Sequence, residues 1–425
     1  MIRRLIVAGG GTGGHLFPGI AVVEELRRRQ PEVEVTFVGT EKGIEARVLP
    51  ERGERLELLE VAPLKGRTVA ELTRSLMMLP GAFGRASGLI SELEPDLVLG
   101  VGGYASGPML LAAAARGVPT AILEQNAHVG LTNRMLAPIT GRAYVAFDEA
   151  RTQIGRRAKL LGNPVRRTFV DAARAALADP DGFEARSRKI FVLGGSQGAK
   201  VLNETVPAAL AQLGLAERGL EVVHQTGAAM RDEVEARYRE LGVPAQVVSF
   251  VDDMAKAYAS AALVIARAGA TTLAEVCAIG RPAILVPYPF AADDHQARNA
   301  EALQTAGAAV AIRESALSVD ALVREATRLL DDEAARKAMA DAARQHGKPE
   351  AAAAIVDDLF GWLGGPAPRR SEPPRSRGNG DRGRHRMAAL EVGARRALAY
   401  LSRGRGPRPV AYLQVLGPAP AMAEG

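Results

Sequence analysis

Twice along this chain a short β-branched run ends abruptly in glycines. Leu5–Ala8 leads into Gly9-Gly10-Gly11-Thr12-Gly13-Gly14, and Ile190–Leu193 leads into Gly194-Gly195-Ser196-Gln197-Gly198. A strand that ends in small residues and opens a helix leaves backbone N–H groups at the helix start, where the helix dipole adds positive potential, so such a turn suits a phosphate. Around both turns, short β-branched runs alternate with longer helical patterns, the signature of a parallel sheet covered on both faces by helices. Strands are expected near Leu5–Ala8, Val33–Val38, Leu97–Val101, Thr120–Leu123, Ala143–Phe147 and Lys159–Leu161. In the second half they are expected near Ile190–Leu193, Glu221–His224, Gln246–Phe250, Leu263–Ala266, Ala283–Val286 and Ala309–Ile312. The fold class is therefore α/β, with two Rossmann-like doubly wound parallel-sheet domains facing a cleft at the carboxyl ends of their strands. The expected division is 1–163, 164–349, a last helix over 350–364, and a tail over 365–425, with the join near Gly162-Asn163-Pro164.

Composition narrows the function. The net charge of +6 is misleading, because 12 Arg against 4 acidic residues lie beyond Gly365, leaving the body at about −2. With 4% aromatic residues and no basic excess in the body, a nucleic-acid surface is not expected. The tail, rich in Pro, Arg and Gly through Arg386 with one possible short helix at Met387–Leu401, cannot bury a core and is expected to be disordered. A lone cysteine, Cys277, fits a reducing compartment. No apolar run approaches the 18 or so residues of a membrane span, and the N-terminal apolar run is too short for a signal peptide. A cytosolic protein is expected, bound at most to a membrane surface.

The glycine turns leave several ligands open. Gly9-x-Gly11-x-x-Gly14 formally matches the dinucleotide fingerprint, which also needs an acid at the end of the second strand; Val35–Thr40 has none, although Glu41 lies close. The second turn is not a Walker sequence, since Lys200 follows Ala199 and no Ser or Thr comes next. Tight strand–helix packing accounts for some of these glycines whatever the ligand. His15 falls at a helix start beside the cleft, where the dipole favours a neutral imidazole able to take a proton; a histidine in the cap region without chemistry is the alternative. Farther on, Ala266–Glu275 ends a strand and opens a helix. Glu275 in its first turns can take two ribose hydroxyls, and Thr271 and Thr272 suit a phosphate. Asp252-Asp253 and Asp293-Asp294 are adjacent pairs, read as solvated caps, and His295 completes no zinc spacing, so neither a metal nor a cofactor is expected.

Taken in order, eight segments resemble the MurG family of bacterial peptidoglycan N-acetylglucosaminyltransferases, in glycosyltransferase family 28. They are Gly10–Gly19, Gly102–Pro108, Glu124-Gln125-Asn126, Gly162–Arg166, Gly194–Ala199, Phe250–Met254, Gly269–Glu275, and Asp294-His295-Gln296 with Asn299-Ala300. The likeness spans about residues 1–363 and none of the tail. It implies a GT-B fold and inverting, metal-independent transfer of N-acetylglucosamine from UDP-GlcNAc to the C4 hydroxyl of an undecaprenyl-pyrophosphoryl-linked N-acetylmuramoyl-pentapeptide (lipid I), giving lipid II. The second domain would hold the donor. Backbone at Val251 would read uracil, Glu275 the ribose, and Ser196 with Ala270, Thr271, Thr272, Leu273 and Ala274 the diphosphate. Gln296 and Asn126 would contact the sugar, Arg166 would reach in from the hinge, and Thr12, Gly13 and Gly14 would face the reacting end. Gly13-Gly14 and the Gly102-Gly103-Tyr104 turn would hold the acceptor pyrophosphate, with His15 the favoured base. Glu350–Leu363 would cross back onto the first domain.

The resemblance further implies a peripheral place on the cytoplasmic face of the inner membrane, with wall-synthesis and division proteins as possible partners. Val69–Phe83 offers a docking face: Leu72, Leu76, Leu79 and Phe83 share one helix face, interrupted late by Pro80, amid Lys65, Arg67, Arg74 and Arg85. A core-facing helix is the alternative, with Met77 and Met78 able to fill a core. The rival functions are a UDP-sugar epimerase or another glycolipid glycosyltransferase of the same fold, an NAD oxidoreductase, and a non-catalytic scaffold.

Overall fold

Leu5 and Val7 bury against one group of apolar residues and Ile6 and Ala8 against another. The first strand is thus covered on both faces, which is why it reads as an unbroken apolar run rather than an alternating one. Ile190, Val192 and Phe191, Leu193 divide between two cores in the same way in the second half. The computed structural model describes residues 2–61, 69–195 and 198–364, which lie in one compact unit.

The first sheet comprises β1 (Arg4–Gly9), β2 (Glu34–Gly39), β3 (Leu56–Leu58), β4 (Leu97–Gly102), β5 (Thr120–Glu124), β6 (Arg142–Val145) and β7 (Ala158–Leu160), in the order 3-2-1-4-5-6-7. The second comprises β8 (Lys189–Leu193), β9 (Glu221–Gln225), β10 (Ala245–Val248), β11 (Ala261–Ala266), β12 (Ala283–Leu285) and β13 (Val310–Ala311), in the order 10-9-8-11-12-13. Neighbouring strands pair in parallel, as with Leu5↔Val35 and Ile190↔Val222. The order reverses between β1 and β4 and again between β8 and β11. Crevices open at such switch points, and both glycine turns lie there.

Three expectations need correction. β3 was not anticipated: it has three residues, sits at the sheet edge, and includes the charged Glu57, so it carries no apolar signal. Phe147 and Phe250 fall beyond their strands, which end at Val145 and Val248; Phe250 stands exposed in the loop that follows. Pro80 does not interrupt its helix, which runs on from Val69 to Leu93. That helix buries Ala82, Ala86, Leu89 and Ile90 and leaves Phe83 exposed. The side chains of Leu72, Arg74, Leu76, Met77 and Leu79 lie outside the described residues, as do Lys65, Arg67, Ser196, Gln197 and the tail.

The last helix, Ala351–Leu363, packs on the first sheet, not on the second, which precedes it in sequence. Its Ile355, Val356 and Leu359 join the core of Leu5 and Val7. Asp358 accepts a hydrogen bond from the Tyr144 hydroxyl (2.9 Å) and pairs with Arg142 (3.2 Å) and Lys159. The Arg142 guanidinium also lies over the Trp362 ring, 4.8 Å from its centroid. Among the described residues no helix is long and apolar enough to cross a membrane.

Candidate active site

The turn after β1 is built by close backbone approach. Gly9, at φ +129°, lies where a Cβ would come within 2.0 Å of the Gly102 carbonyl oxygen, and a Cβ at Gly103 would meet the Gly10 carbonyl oxygen at 2.5 Å. The turns after β1 and β4 therefore interlock, joined by the Gly10 amide donating to the Gly102 carbonyl (3.1 Å) and by the buried Ser106 hydroxyl donating to Ala8 (2.7 Å). Thr12, extended, stands at the N-cap position of helix Gly13–Arg29, and its side chain makes no capping hydrogen bond. The first amides of that helix, at Gly13 and Gly14, have no intrahelical acceptor. Tyr104 stands exposed at the end of the β4 turn.

His15 is half-buried in the first turn of this helix, with its ring edge over Gly102, where a Cβ would lie 2.8 Å from Cδ2. Its Nδ1 is 3.2 Å from the Gly10 carbonyl oxygen. A carbonyl can only accept, so a hydrogen bond at this contact needs the proton on Nδ1 and leaves Nε2 as an acceptor; the Thr12 hydroxyl, 3.3 Å from the same nitrogen, can pair with either tautomer. The imidazole pKa is held below its usual value, chiefly by burial and further by the nearby His295; Glu124, Glu45 and the Gly10 carbonyl act in the opposite sense. The direction agrees with the sequence reading, but burial is the leading cause where the helix dipole was expected.

In the second half, helix Ala270–Ile279 begins at the end of β11, and the hinge residue Asn163 donates to the Ala270 carbonyl (3.2 Å). The Thr271 hydroxyl is buried there without a protein partner, a polar group whose hydrogen bond is left open. Glu275 is buried beside the Tyr258 phenol, with Arg166 Nη2 at 3.4 Å. Burial pushes its carboxyl up to about 7, against the pull of Arg166. Gln296 accepts from the Tyr288 amide (3.0 Å), and Val251 packs half-buried against the domain core. Asp253 caps helix Met254–Ala259 by accepting from the Lys256 amide (3.0 Å), and Asp294 pairs with Arg313. Among the described residues no group of three or more His, Cys, Asp or Glu is placed to hold a metal.

The two halves meet at this point. Arg166 lies 5.7 Å from the ring centroid of Phe17, on the His15 helix, which itself touches the Glu275 helix. Asn299, fully buried, accepts from the Ala127 amide (2.9 Å) and donates to Asn126 Oδ1 (3.1 Å). Asn126 in turn donates to Glu124 (3.2 Å). Thus His15 lies against Gly102, Arg166 lies between Phe17 of the His15 helix and Glu275, and Asn126 is tied to Asn299 of the second half. Sequence reasoning missed what holds them. Gln225, which donates to the Gly195 carbonyl (3.1 Å), gave no signal, and neither did Glu45. Asn163, Asn299 and Glu124 stood inside quoted motifs but carried no role.

Two adjoining doubly wound sheets with glycine turns at both switch points, and a buried carboxylate in the helix that follows β11, are the arrangement of the GT-B class of nucleotide-sugar enzymes. The family models for the glycosyltransferase family 28 N-terminal and C-terminal domains match residues 5–145 and 189–355. The UDP-N-acetylglucosamine–N-acetylmuramyl-(pentapeptide) pyrophosphoryl-undecaprenol N-acetylglucosamine transferase of Sorangium cellulosum is 48% identical over 391 residues, 87% of this chain and 94% of that protein. The crystal structure of Acinetobacter baumannii MurG superposes with a TM-score of 0.69 at 32% identity, covering 84% of this chain and 99% of the other. A UDP-GlcNAc 2-epimerase from Neisseria meningitidis shares the fold alone, with a TM-score of 0.58 at 13% identity over 84% and 99% of the two chains. The chain belongs to glycosyltransferase family 28, with the MurG-type N-acetylglucosaminyltransferases.

Proposed function

We propose that this chain transfers N-acetylglucosamine from UDP-GlcNAc to the C4 hydroxyl of the N-acetylmuramoyl unit of an undecaprenyl-pyrophosphoryl-linked acceptor, the reaction named for its relatives. The observation that carries the chemistry is His15, below its usual pKa and with Nδ1 3.2 Å from the Gly10 carbonyl oxygen. Nε2 takes the proton of the acceptor hydroxyl as that oxygen attacks the anomeric carbon. The bond from that carbon to the UDP oxygen breaks on the opposite face, so the configuration inverts. Charge developing on the departing diphosphate meets the amides at the start of helix Ala270–Ile279 and the open Thr271 hydroxyl, which supply without a cation what a metal supplies elsewhere. Glu275 holds the ribose, backbone at Val251 the uracil, Ser196 and the Ala270–Ala274 turn the diphosphate, and Gln296 and Asn126 the sugar. Gly13, Gly14, Gly102, Gly103 and Tyr104 hold the acceptor pyrophosphate.

Release of UDP from UDP-GlcNAc with and without a water-soluble lipid I analogue tests this reading. Release should depend strictly on the acceptor; UDP formed or sugar epimerised without it would favour the epimerase reading. An acceptor anchored by a long lipid also requires the first domain to lie on the cytoplasmic membrane face. The exposed Phe83, on the helix beside Arg85, supports docking there. Phe83→Glu should lower co-sedimentation with anionic vesicles while sparing turnover of the soluble acceptor; unchanged co-sedimentation would reject that face.

A further inference from the structure

Glu45, in the short helix Glu45–Glu51 after β2, is the most deeply buried carboxylate among the described residues, at 1% exposure. Its Oε2 accepts from the Gly11 amide (2.6 Å), and its Oε1 accepts from the Thr40 amide (2.9 Å) and hydroxyl (3.0 Å). Three glycines make room for it: a Cβ at Gly10, Gly39 or Gly43 would come within 2.4, 2.4 or 2.1 Å of its side chain. Burying a charge costs heavily unless it is well hydrogen-bonded, so a carboxylate placed under a glycine turn calls for a use. The Gly10–Gly11 peptide is what it grips, and the Gly10 carbonyl is what His15 Nδ1 touches. An acid near this place in a dinucleotide fold turns outward to a ribose; here it turns inward and takes the Gly11 amide.

We propose that Glu45 is a positioning residue for His15: it fixes the Gly10–Gly11 turn so that the Gly10 carbonyl holds the imidazole in its Nδ1-protonated tautomer, with Nε2 ready for the acceptor proton. The proposal rests on reading His15 as the base. Three side chains bear electrostatically on the imidazole: Glu45, Glu124 at the end of β5, and His295 at the start of helix His295–Thr305. The two carboxylates favour the imidazolium and His295 opposes it. Removing the Glu45 charge therefore lowers the imidazole pKa.

Glu45→Gln keeps the size, removes the charge, and sets an NH2 group against the donors of Gly11 and Thr40. Turnover should fall on the order of tenfold or more, with KM for UDP-GlcNAc within about twofold. The acidic limb of kcat/KM should move to lower pH, and nitrogen NMR of His15 should show a lower pKa and a mixture of tautomers. A fall in turnover with an unchanged His15 titration and tautomer would overturn the proposal, because it would show packing alone. Should the variant fail to fold, the wild-type protein still decides: His15 protonated at Nδ1 supports the proposal, and protonation at Nε2 overturns it. Full turnover by His15→Ala would sink the base reading instead, while the His15 titration in Glu45→Gln would still report the coupling.

Discussion

Burial shifts Glu275 and His15 in opposite directions, because it disfavours the charged form of each. For His15 the result is a neutral imidazole at neutral pH. For Glu275, pushed up to about 7, it is a carboxyl that changes charge near the working pH. In the proposed ribose role the ionised form would accept two hydroxyls, so affinity for UDP should rise as pH increases through about 7. Calorimetry between pH 6 and 8.5 checks this: Glu275→Gln should flatten the dependence. Glu275→Ala should weaken UDP binding about tenfold to a hundredfold, the worth of a charge-assisted hydrogen bond. Unchanged affinity in Glu275→Ala would remove the residue from the ribose site. The position of Glu275 on its helix was legible because a strand, a small-residue turn and a helix are local features. Its pairing with Arg166 was not, since the two are far apart in sequence and meet only across the hinge.

At the level of elements, the glycines are not equivalent. Gly11 and Gly103 share a positive φ, +85° and +84°, but a Cβ at Gly11 would meet nothing within 4 Å while one at Gly103 would strike the Gly10 carbonyl oxygen. Gly11→Ala should therefore cost only the left-handed backbone penalty, about 1–2 kcal/mol. Gly103→Ala should cost clearly more and separate the turn that holds His15 from the turn after β4. Melting temperatures and turnover of the two variants check this, and equal effects would mean that the turns do not interlock. Two glycine turns after two strands were legible because the pattern is contiguous. β3 was not, because a three-residue edge strand with a charged centre has no periodicity to read. The grip of Glu45 on Gly11 spans 34 positions, and nothing local at either end announces it.

At the scale of the whole molecule, polar contacts join residues far apart in sequence. Asn299 holds the Asn126–Ala127 segment across the cleft through two hydrogen bonds, to partners 172 and 173 positions away in sequence. The residue was visible within a motif, but its partner was not. Asn299→Ala should raise KM for UDP-GlcNAc several-fold, for hydrogen bonds of about 1 kcal/mol each, and leave the affinity for UDP itself unchanged. Equal loss for both ligands would show that Asn299 supports the second domain rather than the sugar contact. Asp358 plays the comparable part at the other end, tying the last helix to β6 and β7. The proposed chemistry requires the His15 turn to face the start of helix Ala270–Ile279.

The most direct measurement is the stereochemistry of the product formed under chelation. The wild-type chain, UDP-GlcNAc and a water-soluble lipid I analogue are incubated with EDTA, and the new anomeric centre is read by proton NMR. The expected result is a β-linked disaccharide at an undiminished rate, since the oxygen attacks opposite UDP and helix amides carry the leaving charge. An α linkage, or a rate lost on chelation and restored by magnesium or manganese, would contradict it.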